Sequence, residues 1–102
     1  MLYSVVGGED EQRALAIFST RERALTFVEE RGVKNALIHE STLPVEYEYP
    51  SDVYAAHETA GRKGPLQFAG LFIDPKEARA AAGKRGTVIT IRPDLKHTED
   101  IH

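Results

Sequence analysis

A chain of 102 residues, 41% of them hydrophobic and none of them cysteine, is long enough for one compact core and has no disulfides, thiol nucleophile or thiolate metal site. Its formal net charge of −3 provides no global field to draw it to nucleic acid or an anionic membrane. The opening stretch MLYSVVGGED has neither a basic leader nor a long apolar run, and no later run is long enough for a bilayer, so the chain reads as a cytosolic protein with no membrane partner.

In chain order, LYSVV (2–6) and ALAIF (14–18) are apolar runs around a glycine- and acid-rich turn, which predicts a hairpin. A helix should follow. Ser19 lies three residues before Glu22, the spacing of a capping box, and Thr20 is an alternative N-cap. Helical spacing turns Phe27 and Val28 toward a sheet and Glu29 and Glu30 toward water, and Gly32 ends the helix. ALIHE (36–40) closes the unit as a third strand. The segment LPVEYEYPSD then alternates Val45, Tyr47 and Tyr49 with Glu46 and Glu48, so it is expected to be extended, an edge strand guarded by its prolines and acids.

The same order returns in VYAAH (53–57), LQFAGLFI (66–73), a helix over 75–82 and TVITI (87–91). Asp74 is a strong N-cap, Pro75 occupies the first helical position, where its missing N–H costs nothing, and Gly83 supplies the stop. The alanines of this helix should approach a sheet bearing Phe68, Leu71 and Phe72. Tyr3 corresponds to Tyr54, Phe18 to Phe72 and Ala24 to Ala78, which suggests an internal repeat. The expected fold class is α+β: two tandem ββαβ halves of split βαβ, ferredoxin-like type, mainly antiparallel sheet with two helices. The halves span 2–43 and 53–93 in one domain, with a linker at 44–52 and a flexible tail at 94–102. Each half is too small to be stable alone, so they should share a core.

Residues 2–42, with LYSVV, AIFSTRERALTFVEE and ALIHES, resemble small bacterial and phage proteins in which a strand ending in Phe-Ser-Thr leads into a helix opened by Arg-Glu-Arg-Ala. That resemblance implies a ββαβ domain and no assigned activity. The second half, GLFIDPKEARAAA and TVITIRP, looks faintly like YCII-related ferredoxin-like dimeric proteins. It has no counterpart of that family's His/Asp pair, so the resemblance carries no enzymatic inference.

The residues that might carry chemistry are few. His39-Glu40 and His57-Glu58 lack the second histidine of a His-Glu-x-x-His helix, so they are not a zinc protease motif. If His39 and His57 converge across a sheet, they and the two glutamates make a weak acid/base or metal-binding candidate; neighbours on a strand point to opposite faces, which argues against it. The glycine-flanked turns GRKG and GKRG offer Arg62, Lys63, Lys84 and Arg85 as an anion or nucleic-acid patch, without P-loop chemistry or interleaved aromatics. No serine lies in a Gly-x-Ser-x-Gly elbow.

Residues 1–51 carry five basic and nine acidic side chains and residues 52–102 eight and seven, giving −4 and +1. The expectation is therefore a non-catalytic protein-interaction or accessory module, phage- or defence-related, without cofactor or metal, that meets a protein partner or forms a homodimer. The alternatives are a small enzyme or ligand-binding protein using the histidines, and an anion or nucleic-acid binder using the basic turns.

Overall fold

Apolar and β-branched residues make strands of β1 (Leu2–Gly7) and β2 (Arg13–Phe18), which pair antiparallel. The computed structural model describes residues 1–8, 11–59 and 64–94. The basic-turn residues Arg62 and Lys63 and the tail from residue 95 onward lie outside the described residues. Helix α1 (Arg21–Arg31) begins at Thr20, whose hydroxyl accepts the Arg23 N–H at 3.2 Å, and it ends at Gly32 in the left-handed conformation. Of the two N-caps the sequence offers, Thr20 is the one used, while the Ser19 N–H just before it donates to the Asp94 carboxylate at 2.8 Å. Strand β3 (Leu37–Ser41) pairs antiparallel with β1 on the side away from β2, so the order is β2-β1-β3. Strands β2 and β3 thus run parallel with β1 between them, the split βαβ arrangement.

The second half repeats the topology with β4 (Val53–Thr59), β5 (Leu66–Phe72), α2 (Pro75–Ala82) and β6 (Thr87–Ile91), in the order β5-β4-β6. The fold is α+β, two helices and two three-stranded antiparallel sheets. Tyr3 stands opposite Phe18 and Tyr54 opposite Phe72, and each hairpin is bulged shortly afterwards, between Val5 and Val6 and between Ala56 and His57. Asp74 caps α2 by accepting the Lys76 N–H at 2.9 Å, with Pro75 at the first turn.

Each sheet has a helix on one face and the other sheet on its second face. Ala24 and Phe27 of α1 pack on Val5, Ala16 and Phe18, with the two phenyl rings 5.5 Å apart. Ala78 and Ala82 of α2 pack on Ala56, Tyr54, Phe72 and Val88. Between the sheets lie Leu2, Ala14, Ile17, Val53, Ala55 and Ile91, a core drawn from both halves. Phe68 and Leu71 belong to this inter-sheet core and not to the bed of α2 as expected, because the strand alternation that turns Phe72 to the helix, with a bulge and Gly70 upstream, sends them the other way. The close approach of α2 to β4 also demands a glycine: a Cβ on Gly86 would lie 2.0 Å from the Ala82 carbonyl oxygen and 2.2 Å from that of His57.

The outer edge of β2 is covered by the second half without a continued ladder. The Gln12 N–H donates to Leu66 O at 2.8 Å, the Ala14 N–H to His57 Nε2 at 2.9 Å, and the Asp94 N–H to Ile17 O at 2.7 Å. These contacts pass from β5 through β4 to Asp94, three residues beyond β6, so β2 traverses the second sheet instead of lying along one of its strands. An edge that would invite pairing with another chain is thereby closed.

Two expectations are corrected here. Residues 44–51 are not an extended edge strand but two successive turns, closed by Tyr47 N–H to Pro44 O at 3.0 Å and Ser51 N–H to Glu48 O at 2.8 Å, with the Tyr47 hydroxyl donating to Ser51 O. The prolines that suggested a guarded edge here break the ladder altogether. Asp94, placed at the start of a flexible tail, is instead tied by its backbone to Ile17 of β2 and by its side chain to the Ser19 N–H just after it.

Candidate functional site

His57 sits on β4 facing the inter-sheet core and is fully buried. Its Nε2 accepts the Ala14 N–H, so the ring carries its proton on Nδ1. Nδ1 has no well-aligned hydrogen-bond partner. Burial pushes the imidazole below its ordinary value of 6.5, against a smaller upward pull from the backbone of Thr87 and Ala55. This ring is a neutral acceptor that satisfies an edge-strand amide.

His39 is exposed on β3, at the far edge of the first sheet. The two imidazoles approach only through Phe68, whose ring centroid lies 5.2 Å from His39 and 5.9 Å from His57. Phe68 is a hydrophobic spacer, and an acid/base pair needs hydrogen-bond reach or one bridging water. Glu40 turns to the opposite face and pairs with Arg21 at 3.6 Å, while Glu58 is exposed. Ser4 stands opposite His39 in register and is fully buried, yet its hydroxyl makes no hydrogen bond, so no serine–histidine pair exists there. Among the described residues no group of three or more His, Asp or Glu could hold a metal ion.

Lys84 and Arg85 are exposed beyond α2 and border an open cleft of about 550 Å³ that also includes Glu58 and Thr59. Arg79 turns back to donate to the carbonyl oxygens of Gly83 and Gly86, the latter at 2.8 Å, as a basic cap on the last turn. The cleft thus mixes both signs of charge, with Glu58 beside Lys84 and Arg85.

The most developed surface is one the sequence pattern did not mark. The turns of residues 44–51 hold Val45 out at 98% exposure and Tyr49 at 52%, beside Met1 at 63%. With Leu2, Leu43 and Tyr47 these residues line a cleft of about 330 Å³. Exposed Glu46 and Glu48 stand on the same turns and make no ion pair among the described residues. Tyr49 anchors the face, because its hydroxyl donates to Asp94 Oδ2. Burial pushes the Asp94 carboxyl up, but hydrogen bonds from Tyr49 and Ser19 and the Arg23 charge at 3.3 Å outweigh it and hold the carboxyl below its ordinary value. The phenol of Tyr49 is raised, chiefly by that hydrogen bond. Beyond Asp94 a second cleft of about 610 Å³ runs along α1 past Phe18, Arg23 and Phe27, with Glu22 and Glu30 on its rim. The signal that could have found this face was the pair of prolines around three aromatic or aliphatic residues; what hid it was their alternation with glutamates, which mimics a strand.

Comparison with protein-family models, with curated proteins and with solved structures gives no match. The assignment of function therefore rests on the geometry described above.

Proposed function

We propose that this chain is a non-catalytic protein-interaction module that docks a partner segment on the face made by residues 43–49, the segment bearing an aliphatic or aromatic anchor flanked by Lys or Arg. The observation that carries this reading is the exposure of Met1, Val45 and Tyr49 around one cleft, on turns held in place by backbone hydrogen bonds and the Tyr49–Asp94 contact. A soluble surface holds large apolar groups out together where they meet something. Tyrosines suit such a face because they bring contact area at low entropic cost. Glu46 and Glu48, exposed and without an ion pair among the described residues, select a basic partner, in line with the −4 charge of residues 1–51. A cytosolic setting, read from composition, and a phage- or defence-associated one, read from the resemblance of residues 2–42, complete the proposal. The buried His57, with its acceptor nitrogen already occupied, supports a binding role over an enzymatic one.

Selection of random displayed peptides on the full chain tests this. Enrichment of peptides joining an apolar anchor to Lys or Arg is expected, with binding lost in Val45→Asp and weakened about tenfold, or about 1.4 kcal/mol, in the double variant Glu46→Lys, Glu48→Lys. No enrichment, or binding indifferent to Val45→Asp, would overturn the reading.

A further inference from the structure

Beyond a docking face for a partner, we infer that the chain forms a twofold homodimer by antiparallel pairing of β6 with β6 of a second copy, joining the two second-half sheets into one of six strands. Strand β6 is an edge in the order β5-β4-β6, and its outward backbone groups have no hydrogen-bond partner among the described residues. Edge strands are usually blunted by charge, proline, bulges or cover. β6, Thr-Val-Ile-Thr-Ile, has no charge and no proline, and it pairs with β4 without a register shift. The other edges are occupied or guarded: β2 is crossed by the second half, β5 is engaged by Gln12, and β3 carries His39 and the Glu40–Arg21 pair.

The occupant is a second copy because β6 is self-complementary. With the twofold axis at Ile89, Val88 meets Thr90 and Thr87 meets Ile91, apolar against β-branched polar, each pair on one face of the sheet. No like charges stand opposite each other within the strand. Side cover is available too. Helix α2 has only eight residues, so Tyr54, Val88 and Thr90 remain open to a cleft of about 520 Å³ beside the edge, bordered by Pro75, Lys76 and Arg79. Pairing would seat the partner's Thr90 and Val88 along that apolar floor. The Met1, Val45 and Tyr49 face is built from other elements, so the two proposals stand or fall separately.

Light scattering should give twice the 11.3 kDa chain mass at high protein concentration, and hydrogen exchange should show β6 amides gaining protection as concentration rises. Thr90→Lys, at an exposed position, should raise the dimer dissociation constant about tenfold or more and leave the folded monomer intact. A nitroxide on Thr90→Cys, in a chain with no other cysteine, should sit within roughly 10 Å of its symmetry mate and broaden its spectrum. A monomer at all concentrations would overturn the inference, as would a dimer indifferent to Thr90→Lys with unprotected β6 amides.

Discussion

His57 is fully buried on an apolar strand face, and its Nε2 is the acceptor that the Ala14 N–H finds among the described residues at the crossing of β2 over the second sheet. Replacing it with leucine keeps most of the volume but strands a buried amide, so His57→Leu should cost about 1–3 kcal/mol in denaturant unfolding. The sign of its pH dependence follows from the lowered folded-state value. Above the unfolded value of 6.5 both states hold a neutral ring and the contribution is complete. As pH falls through 6.5 the unfolded chain takes up a proton that the folded chain resists, so stability declines until the lowered folded value is reached. His57→Leu should remove that part of the slope. Asp94 acts further toward acid. Its folded carboxyl is held below 3.8, so its contribution is complete above that value and is lost as pH falls through the folded one. A stability–pH curve of the wild type that stays flat from 7 to 5 would contradict the account of His57.

At the scale of elements, the two helices hold to their sheets by different means. Helix α1 has eleven residues, a threonine cap and an aromatic pair against the sheet, with the Arg31 guanidinium 5.7 Å above the Phe27 ring. Helix α2 has eight residues and only alanines to bury, too short to persist by itself in water. Its ends therefore matter more. Asp74 and Pro75 begin it, and Arg79 gathers the carbonyls where it stops. Asp74→Ala should cost about 1 kcal/mol, seen as a lower midpoint in chemical unfolding, with the extra amide exchange confined to α2. The strands show the complementary pattern: β1 and β4 are central in their sheets, and their inward residues Val5, Val53 and Ala55 are among the least exposed in the molecule.

For the whole molecule, the layers run helix, sheet, sheet, helix, and the middle interface belongs to neither half. Leu2, Ala14 and Ile17 come from one half and Val53, Ala55 and Ile91 from the other. Each half by itself would leave one sheet face bare, which a segment of that size cannot offset against its chain entropy. Residues 1–51 and 52–102 expressed separately should each lack the dispersed amide resonances of a fold, and mixing them should restore a share of it. A dispersed spectrum from either fragment alone would show that the shared core is dispensable.

What the sequence by itself determined is local. A cap at Ser19 or Thr20, a cap at Asp74, glycine stops at 32 and 83, and alternating apolar runs act within a few residues, so all eight elements and the doubled ββαβ order were legible without coordinates, while the choice of Thr20 over Ser19 was not. Where Phe68 and Leu71 point, why His57 is neutral, how Asp94 is tied down and that residues 44–51 turn instead of extending were decided only in the tertiary structure. Each of those outcomes depends on a group far away in the chain or on a contest between a ladder and local hydrogen bonds. Ala14 lies 43 residues from His57 and Ser19 lies 75 from Asp94. A pattern with a period of two or 3.6 residues carries no information about which distant amide will lack a partner.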